Sequence, residues 1–312
     1  MASHVFGPVP SRRLGRSLGV DIVPFKTCSY DCIYCQLGRT THKTLDRKEW
    51  VPLDGVLGEV ESSLGSRPDY ITLSGSGEPT LYSRLGELIA GIKRITEVPV
   101  AVLTNGSLLG KREVRASLAE ADLVVPSLDA GDAGTFRHVN RPHDGIDFDG
   151  MVEGLVTFAR EHPGRLWLEV FLLGGVTAIQ AEVEKIAGIV RRVDPERVQL
   201  NTVTRPPAES FAYPVPQDQM EQFAAAFGDR AEVIADYRGT HRQRDFAAHR
   251  EDVLGLLRRR PCTVGDIADG LGLHRNEVVK YVEELMGRRV LVTEDSGGEV
   301  YYKAGTGKER SG

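Results

Sequence analysis

Short apolar runs alternate with amphipathic stretches along most of this chain. Each run is rich in Val, Ile and Leu and predicts a strand. The runs lie at residues 19–25, 69–74, 98–104, 122–128, 165–173 and 197–203. Between them, apolar residues recur at the spacing of a helix face, most clearly at residues 81–95 and 180–193. Strands that alternate with helices predict parallel βαβ units. Six strands are too few to close an eight-stranded barrel, so the pattern predicts an α/β fold with a partial, TIM-like (β/α)6 barrel.

The pattern changes near residue 243. Three helical patterns are followed by two strand-like segments around a Ser-Gly-Gly turn, which predicts a winged helix-turn-helix. The helical patterns lie at residues 246–259, 263–272 and 274–289. We therefore predict a core domain over residues 1–242, a winged-helix domain over 243–305 and a flexible tail over 306–312.

Composition narrows the class of protein. With 312 residues, 41% of them hydrophobic and 27% charged, the chain is typical of a globular protein of about two domains. No apolar run approaches the roughly 20 residues of a membrane-spanning helix, and the N-terminus lacks the pattern of a secretory signal. Four cysteines, three of them close together, do not form a disulfide framework. We therefore expect a cytoplasmic protein with no membrane partner, and a net charge of −5 gives no chain-wide basic surface for nucleic acid.

Three of the four cysteines lie within the segment KTCSYDCIYCQLGRTT, at Cys28, Cys32 and Cys35. A structural zinc site normally has four protein ligands, and no second cysteine pair follows, although His42 could be recruited at an unusual spacing. A disulfide would leave one thiol over. A 4Fe–4S cluster is normally held by four thiolates, so three would leave one iron open for a chelating cofactor.

The C-x3-C-x2-C spacing, with the aromatic Tyr34 in the last gap, resembles the cysteine motif of the radical S-adenosylmethionine (SAM) superfamily. The resemblance implies that Cys28, Cys32 and Cys35 hold a 4Fe–4S cluster, and that the methionine part of SAM chelates its open iron. The reduced cluster would then cleave SAM to a 5′-deoxyadenosyl radical. The implied partner is an external electron donor of the flavodoxin or ferredoxin type.

A second motif, SGSGEPT at residues 74–80, follows the second predicted strand and resembles the Gly-Gly-Glu segment of that superfamily. By this resemblance, backbone near Gly75 and Gly77 and the side chain of Glu78 hold the methionine amino group of SAM. Later strand ends carry polar residues that could contact SAM or substrate, because the reactive site of such barrels lies at the carboxyl ends of the strands. These candidates are Asn105, Ser127 and Asp129. An ordinary glycine turn, and turn or cap residues, are the alternatives.

Charged residues near the predicted rim suggest a site for an anionic substrate, because guanidinium groups bind phosphate and carboxylate well. The candidates are Arg12, Arg13, Arg137, Arg141 and His143. Solvated loops are the alternative. Glu169 lies in the middle of a predicted strand, where a carboxylate requires a partner or water, and it could face SAM or substrate inside the barrel.

The opening FGPVPSRRLGRSLGVDIVPFKTCSYDCIYC, together with SGSGEPT, LTNG, SLDA and NRPH, resembles the Fe–S oxidoreductases grouped with 4-demethylwyosine synthase, over about residues 5–240. This implies a role in tRNA modification. True wyosine synthases carry further N-terminal cysteines for a second cluster, whereas no cysteine precedes Cys28 here. The fourth cysteine, Cys262, is expected to pack as a small apolar residue at the start of a helix.

The predicted winged helix could dock a tRNA, a peptide or a protein substrate. Its charges balance, with 11 basic and 11 acidic residues over 246–312, which does not favour strong binding of nucleic acid. Two alternatives to a SAM-cleaving enzyme with an unidentified substrate stay open. One is a DNA-binding regulator whose cluster senses redox state, and the other is an activase that makes a glycyl radical on a partner protein.

Overall fold

The computed structural model of the protein describes residues 4–204, 207–235, 247–259, 261–271, 273–296 and 299–305. The predicted tail over 306–312 and the predicted domain boundary at 242–243 lie outside the described residues. The strands are β1 (Val5–Ser11), β2 (Gly15–Val20), β3 (Thr27–Cys28), β4 (His42–Lys43), β5 (Tyr70–Leu73), β6 (Val100–Thr104), β7 (Leu123–Pro126), β8 (Arg165–Phe171), β9 (Arg197–Asn201), β10 (Ala231–Val233), β11 (Leu291–Ser296) and β12 (Glu299–Ala304).

An eight-stranded sheet organises the first part of the chain, in the order β1-β2-β5-β6-β7-β8-β9-β10. Strand β1 is antiparallel to β2, and every later pair is parallel. Neighbouring strands of the parallel part follow one another along the chain, as in a singly wound barrel. The short strands β3 and β4 pair separately; β3 contains Cys28, and β4 follows the cysteine segment. The predicted partial barrel is confirmed, with one additional strand at each edge.

The two edge strands and the bounds of the first predicted strand differ from the sequence prediction. The β1 segment contains Pro8 and Pro10, which argue against a central strand but are tolerated at a sheet edge, where their missing N–H groups have no ladder partner. The strand predicted at 19–25 lies instead at Gly15–Val20. It stops there because the side chain of Asp21 turns to bind Ser76, and the chain then enters the cysteine segment.

Helices connect the parallel strands and pack on the outside of the sheet. They are α1 (Leu53–Ser63), α2 (Leu85–Ile95), α3 (Arg112–Ser117), α4 (Ala133–Val139), α5 (Phe148–Glu161), α6 (Gln180–Val193) and α7 (Gln217–Ala224). The helix predicted at 180–193 is confirmed in full, and the one predicted at 81–95 begins only at Leu85, after a 3-10 turn at Pro79–Leu81. Fully buried apolar side chains on these helices join one core with the sheet, and each contributes about 1.5–3 kcal/mol.

Three helices and a hairpin follow, and we call residues 247–305 the C-terminal module. The helices are α8 (Ala247–Arg259), α9 (Val264–Leu271) and α10 (Arg275–Gly287), and β11 and β12 form the antiparallel hairpin. The module has a core of its own, in which Cys262 is fully buried and pairs through its backbone with Tyr302. The expected packing of Cys262 is confirmed. The order of elements is the one that a winged helix requires, and that assignment stays a prediction.

Helix α10 lies against the first part of the chain, beside the edge strand β1. The rings of Phe6 and His274 stack at 4.4 Å, and the guanidinium of Arg275 lies 4.5 Å from the ring centroid of Phe25. Farther along the helix, Arg12 Nη2 lies 3.8 Å from Glu283 Oε1. Helix α10 therefore covers the side of the partial barrel at which β1 is the last strand. None of the helices within the described residues is long and apolar enough to cross a membrane.

Candidate active site

The cysteine segment, residues 26–41, begins with β3, ends just before β4 and lies beside the carboxyl ends of the parallel strands. Amide groups approach two of the sulfurs: Asn105 Nδ2 lies 3.5 Å from Cys28 Sγ, and Asn140 Nδ2 lies 3.5 Å from Cys32 Sγ. The backbone N–H of Tyr30 also donates to Cys28 Sγ, at 3.5 Å. Burial raises the pKa of the Cys28 thiol to about 12 and also raises the pKa values of Cys32 and Cys35. As free thiols these cysteines stay protonated, and a bound metal would deprotonate them.

This donor set fits a 4Fe–4S cluster. Three thiols project from one short segment, and amide donors beside their sulfurs would stabilise thiolates that bind iron. Within the residues that the structure describes, no three His, Cys, Asp or Glu side chains are arranged around the position of a single metal ion. The ring of His42, the additional zinc ligand considered above, packs edge-on against Trp50 at 5.6 Å. A cluster suits the three thiols better than one ion, because it offers each thiolate a separate iron.

The NRPH segment, residues 140–143, packs against the cysteine segment through backbone hydrogen bonds. Asp31 N donates to Asn140 O at 3.0 Å, and His143 N donates to Ser29 O at 2.8 Å. The side chain of Arg141 binds Glu209 at 2.5 Å. Together with Arg137, which is exposed on α4, Arg141 and His143 line a separate cleft. The structure therefore does not bring these three predicted substrate ligands to the residues around Arg12.

The SGSGEPT segment packs directly against the cysteine segment. Gly77 forms a parallel bridge with Thr27, and a Cβ at this position would lie only 2.7 Å from the carbonyl carbon of Thr27. Gly75 has φ +133°, a conformation that side chains other than glycine rarely adopt, and lies beside Asp21. The two glycines are therefore required by a turn and by close backbone packing at the place where the resemblance puts the methionine part of SAM.

Glu78 is buried, and its carboxylate organises two neighbouring loops. It accepts hydrogen bonds from Thr80 N at 2.9 Å, Thr80 Oγ1 at 2.6 Å, Thr104 Oγ1 at 2.6 Å and Asn105 N at 2.7 Å. Burial raises the pKa of Glu78, while these donors act in the opposite direction. The side chain thus fixes Asn105, whose amide reaches the Cys28 sulfur. Its predicted contact with the SAM amino group stays a prediction.

Asp129 and Tyr34 form a second support for the cysteine segment. The hydroxyl of Tyr34 donates to Asp129 Oδ2, and its ring stacks on Phe171 at 4.0 Å. Asn140 Nδ2, which also contacts the Cys32 sulfur, donates to the same Asp129 oxygen at 2.7 Å. Burial raises the pKa of Asp129 to about 6, even though the Tyr34 hydroxyl and the Asn140 amide lower it. Ser127, two residues earlier, forms a bridge with Glu169 of the next strand.

A cavity of about 320 Å³ opens between the cysteine segment, the sheet and helix α10. Its polar lining includes Arg12, Arg13, Tyr34, Cys35, Ser74, Ser127, Glu169, Asn201, Asn276 and Lys280. Within it, Arg13 Nη1 lies 2.9 Å from Glu169 Oε2, and Asn201 Nδ2 donates to Glu169 Oε1 at 2.8 Å. Burial would raise the pKa of Glu169, but the charges and hydrogen bonds around it, above all those of Arg13, lower it. The mid-strand carboxylate is therefore a paired anion inside the cavity.

Several residues of this site were not among the sequence-based candidates, and four of them make contacts that shape it. Asn140 reaches a cysteine sulfur, Asn201 holds Glu169, and Asp21 and Asn276 approach each other at 3.5 Å beside Gly75. Asn201 lies near the end of the strand predicted at 197–203, and Asn140 lies in the NRPH motif, so both positions carried a signal. Nothing in the sequence predicts that α10 meets the barrel.

A model of the Radical SAM superfamily matches residues 22–188, a range that includes all three clustered cysteines. The chain belongs to the radical SAM superfamily. A UPF0026 protein of Methanocaldococcus jannaschii is 31% identical over 307 residues, which cover 95% of this chain and 94% of that protein. A protein of Brachyspira hyodysenteriae named GTPase Obg is 42% identical over 292 residues, which cover 92% of this chain but only 42% of that protein.

Among solved structures, a radical SAM methyltransferase from Sphaerobacter thermophilus has a TM-score of 0.53 and 19% identity, over 70% of this chain and 66% of that one. This likeness concerns the fold alone. Membership in the superfamily confirms the predicted class: the chain is a radical SAM enzyme, with a 4Fe–4S cluster and SAM as its cofactors. Enzymes of this superfamily generally take their electron from an external donor.

Proposed function

We propose that Cys28, Cys32 and Cys35 hold the cluster and that SAM and a substrate meet in the adjoining cavity, where a hydrogen atom is removed from the substrate. The observation that carries this proposal is the shared lining of the cavity. Cys35 faces the same space as Ser127 and Glu169. A cofactor bound at the cysteine segment would therefore extend directly among the polar groups at the strand ends.

The chain's own groups have distinct tasks in this proposal. The cluster and SAM supply the electron transfer and the 5′-deoxyadenosyl radical. By the resemblance, backbone around Gly75 and Gly77 would hold the methionine end of SAM, and Gly75 lines the cavity. The carboxylate of Glu169, held by Arg13 and Asn201, can accept hydrogen bonds from ribose hydroxyls. Helix α10 and the sheet surround the cavity and limit the access of water to it.

We take the electron donor to be a flavodoxin or ferredoxin type of protein, and the cytoplasm to be the location, because free thiols persist in a reducing compartment.

We also take the C-terminal module to be a winged helix. A tRNA substrate, implied by the likeness to wyosine synthases, would require α10 to move away from β1, because α10 packs on Phe6 and Phe25. The same packing occupies His274 and Arg275, with which a DNA-binding regulator would contact its target.

The direct test is reductive cleavage of SAM. The full chain, reconstituted with iron and sulfide under anaerobic conditions, is incubated with SAM and dithionite, and 5′-deoxyadenosine is quantified. We expect the product from the wild type, none from Cys32→Ala, and wild-type amounts from the matched control Cys262→Ala, because Cys262 is buried in the C-terminal module away from the cavity. Equal product from Cys32→Ala, or none from a wild type that holds a full cluster, would refute the proposal.

A further inference from the structure

Helix α10 forms one wall of the cavity. Asn276, Val279 and Lys280 all line it, and their spacing of three and four residues places them on one face of the helix. Two contacts hold the helix in this position. His274 stacks on Phe6 near its first turn, and Glu283 lies close to Arg12 two turns later.

The residues on this face reach different parts of the cavity. Asn276 lies next to Gly75, since a Cβ on that glycine would be 2.6 Å from Asn276 Nδ2. Lys280 follows four residues later, which is about 6 Å farther along the helix axis. It therefore lies between the SGSGEPT segment, where SAM is proposed to bind, and Arg12. One end of this wall lies beside Gly75, and the other lies beside Arg12.

The part of the cavity near Arg12 carries positive charge. Among the described residues that line the cavity, the cations are Arg12, Arg13 and Lys280, and the carboxylate is Glu169, which binds Arg13. The guanidinium of Arg12 lies 3.5 Å from Asn201 Oδ1, 3.5 Å from Thr204 Oγ1 and 3.8 Å from Glu283 Oε1. A carboxylate or phosphate group in this part of the cavity would accept charge-assisted hydrogen bonds from Arg12 and Lys280, which both line it.

The size of the cavity limits the ligand. A volume of about 320 Å³ is at the lower end of the range for small-molecule sites, and it has to hold part of SAM as well. Val9, Leu14, Leu103 and Val279 supply an apolar part of the lining. A compact molecule with one anionic group matches this lining.

We infer that α10 is part of the substrate site, and that Arg12 and Lys280 bind the carboxylate or phosphate group of a small-molecule substrate beside SAM. This inference rests on the proposed function, because it takes the cavity to be the place where substrate and SAM meet. The third helix of the predicted winged helix thus forms part of a site on the barrel of its own chain. Lys280 and Arg12 select the anionic group, and Asn276 and Val279 complete the wall.

Inorganic pyrophosphate is a suitable probe. Its binding to the SAM-saturated, anaerobically reconstituted full chain is measured by calorimetry for the wild type, Lys280→Met, Lys280→Arg and the matched control Lys303→Met. Lys303 lies on the hairpin, exposed and paired with Glu294. We expect at least a tenfold loss of affinity in Lys280→Met, near-recovery in Lys280→Arg and no change in Lys303→Met. Equal affinity in Lys280→Met and Lys303→Met, or no binding to the wild type at millimolar concentration, would overturn the inference.

Two further arms separate other sources of the anion. If Lys280→Met weakens SAM binding tenfold and pyrophosphate competes with SAM, the cations bind the carboxylate of SAM and the inference is wrong. If bulk tRNA displaces pyrophosphate from the wild type and Lys280→Met abolishes tRNA binding, the site accepts nucleic acid and the inference is again wrong. Formation of 5′-deoxyadenosine by the wild type tests the proposed function separately, so either can fail without the other.

Discussion

Replacement of Gly77 by alanine tests whether the SGSGEPT segment and the cysteine segment form one packed unit. The added Cβ would lie 2.7 Å from the Thr27 carbonyl carbon, closer than the 3.0 Å that real Cβ atoms essentially never pass. The neighbour is backbone and cannot rotate away. Because Thr27 immediately precedes Cys28 in β3, the clash has to displace the first cysteine or separate the two segments.

The expected cost is at the upper end of the usual range for overpacking, about 3 kcal/mol, which lowers the melting temperature by roughly 6–12 °C in a protein of this size. The matched control is Gly58→Ala in the exposed part of α1, where a Cβ meets no atom within 4 Å. That change is expected to stabilise the protein by about 0.5–1 kcal/mol through helix propensity. Melting temperature and iron content after anaerobic reconstitution are measured for both variants. A Gly77→Ala protein with the iron content and stability of Gly58→Ala would refute this account of the packing.

Three other changes test separate parts of the site. Glu78→Ala leaves the Thr104 hydroxyl and the Asn105 N–H without their acceptor. We therefore expect the affinity for SAM, measured by equilibrium dialysis, to fall at least fivefold while the cluster is retained. Unchanged affinity would exclude Glu78 from the site. Asn140→Leu removes an amide donor to the Cys32 sulfur. An electrochemical titration should then show a reduction potential of the cluster that is lower by roughly 20–40 mV. An unchanged potential would show that the donor does not act on the cluster. Burial raises the pKa of Asp129 to about 6, so the native apoprotein holds a proton there that the unfolded chain releases above about pH 4. The free energy of unfolding of the apoprotein should therefore fall by up to about 3 kcal/mol as the pH rises from 4 to 6. In urea unfolding, Asp129→Asn should flatten this dependence on pH. An identical slope in the variant would contradict the assignment.

Much of the fold was predictable, because its strands and helices carry regular apolar patterns. The six predicted strands lie in the sheet, and the α6 pattern coincides with the helix, since buried positions there recur at helical spacing. Strand β1 escaped prediction because its prolines suit only a sheet edge, and β10 because three half-buried residues give no clear period. Such edge strands are defined by their neighbours rather than by their own sequence.

The cysteines of the site were predictable, because cluster chemistry dictates their spacing. The other residues were less predictable, because tertiary structure decides which of them reach the cavity. The cysteine motif identified the superfamily, because its three thiolates come from one short segment with a specific spacing. Arg12 and Arg141 looked equivalent in sequence, yet Arg12 enters the cavity and Arg141 binds Glu209 on another side. The contribution of Asn276 and Lys280 depends on the docking of α10 against β1, and no local pattern predicts contacts between residues more than 250 positions apart.

The central claim is that Cys28, Cys32 and Cys35 hold a cluster with one iron left for SAM. Electron paramagnetic resonance of the reduced, reconstituted full chain, recorded with and without SAM, tests it most directly. We predict the signal of a reduced 4Fe–4S cluster whose shape changes when SAM is added. A cluster signal that SAM leaves unaltered, or a protein that binds zinc in place of iron after anaerobic maturation, would contradict the claim.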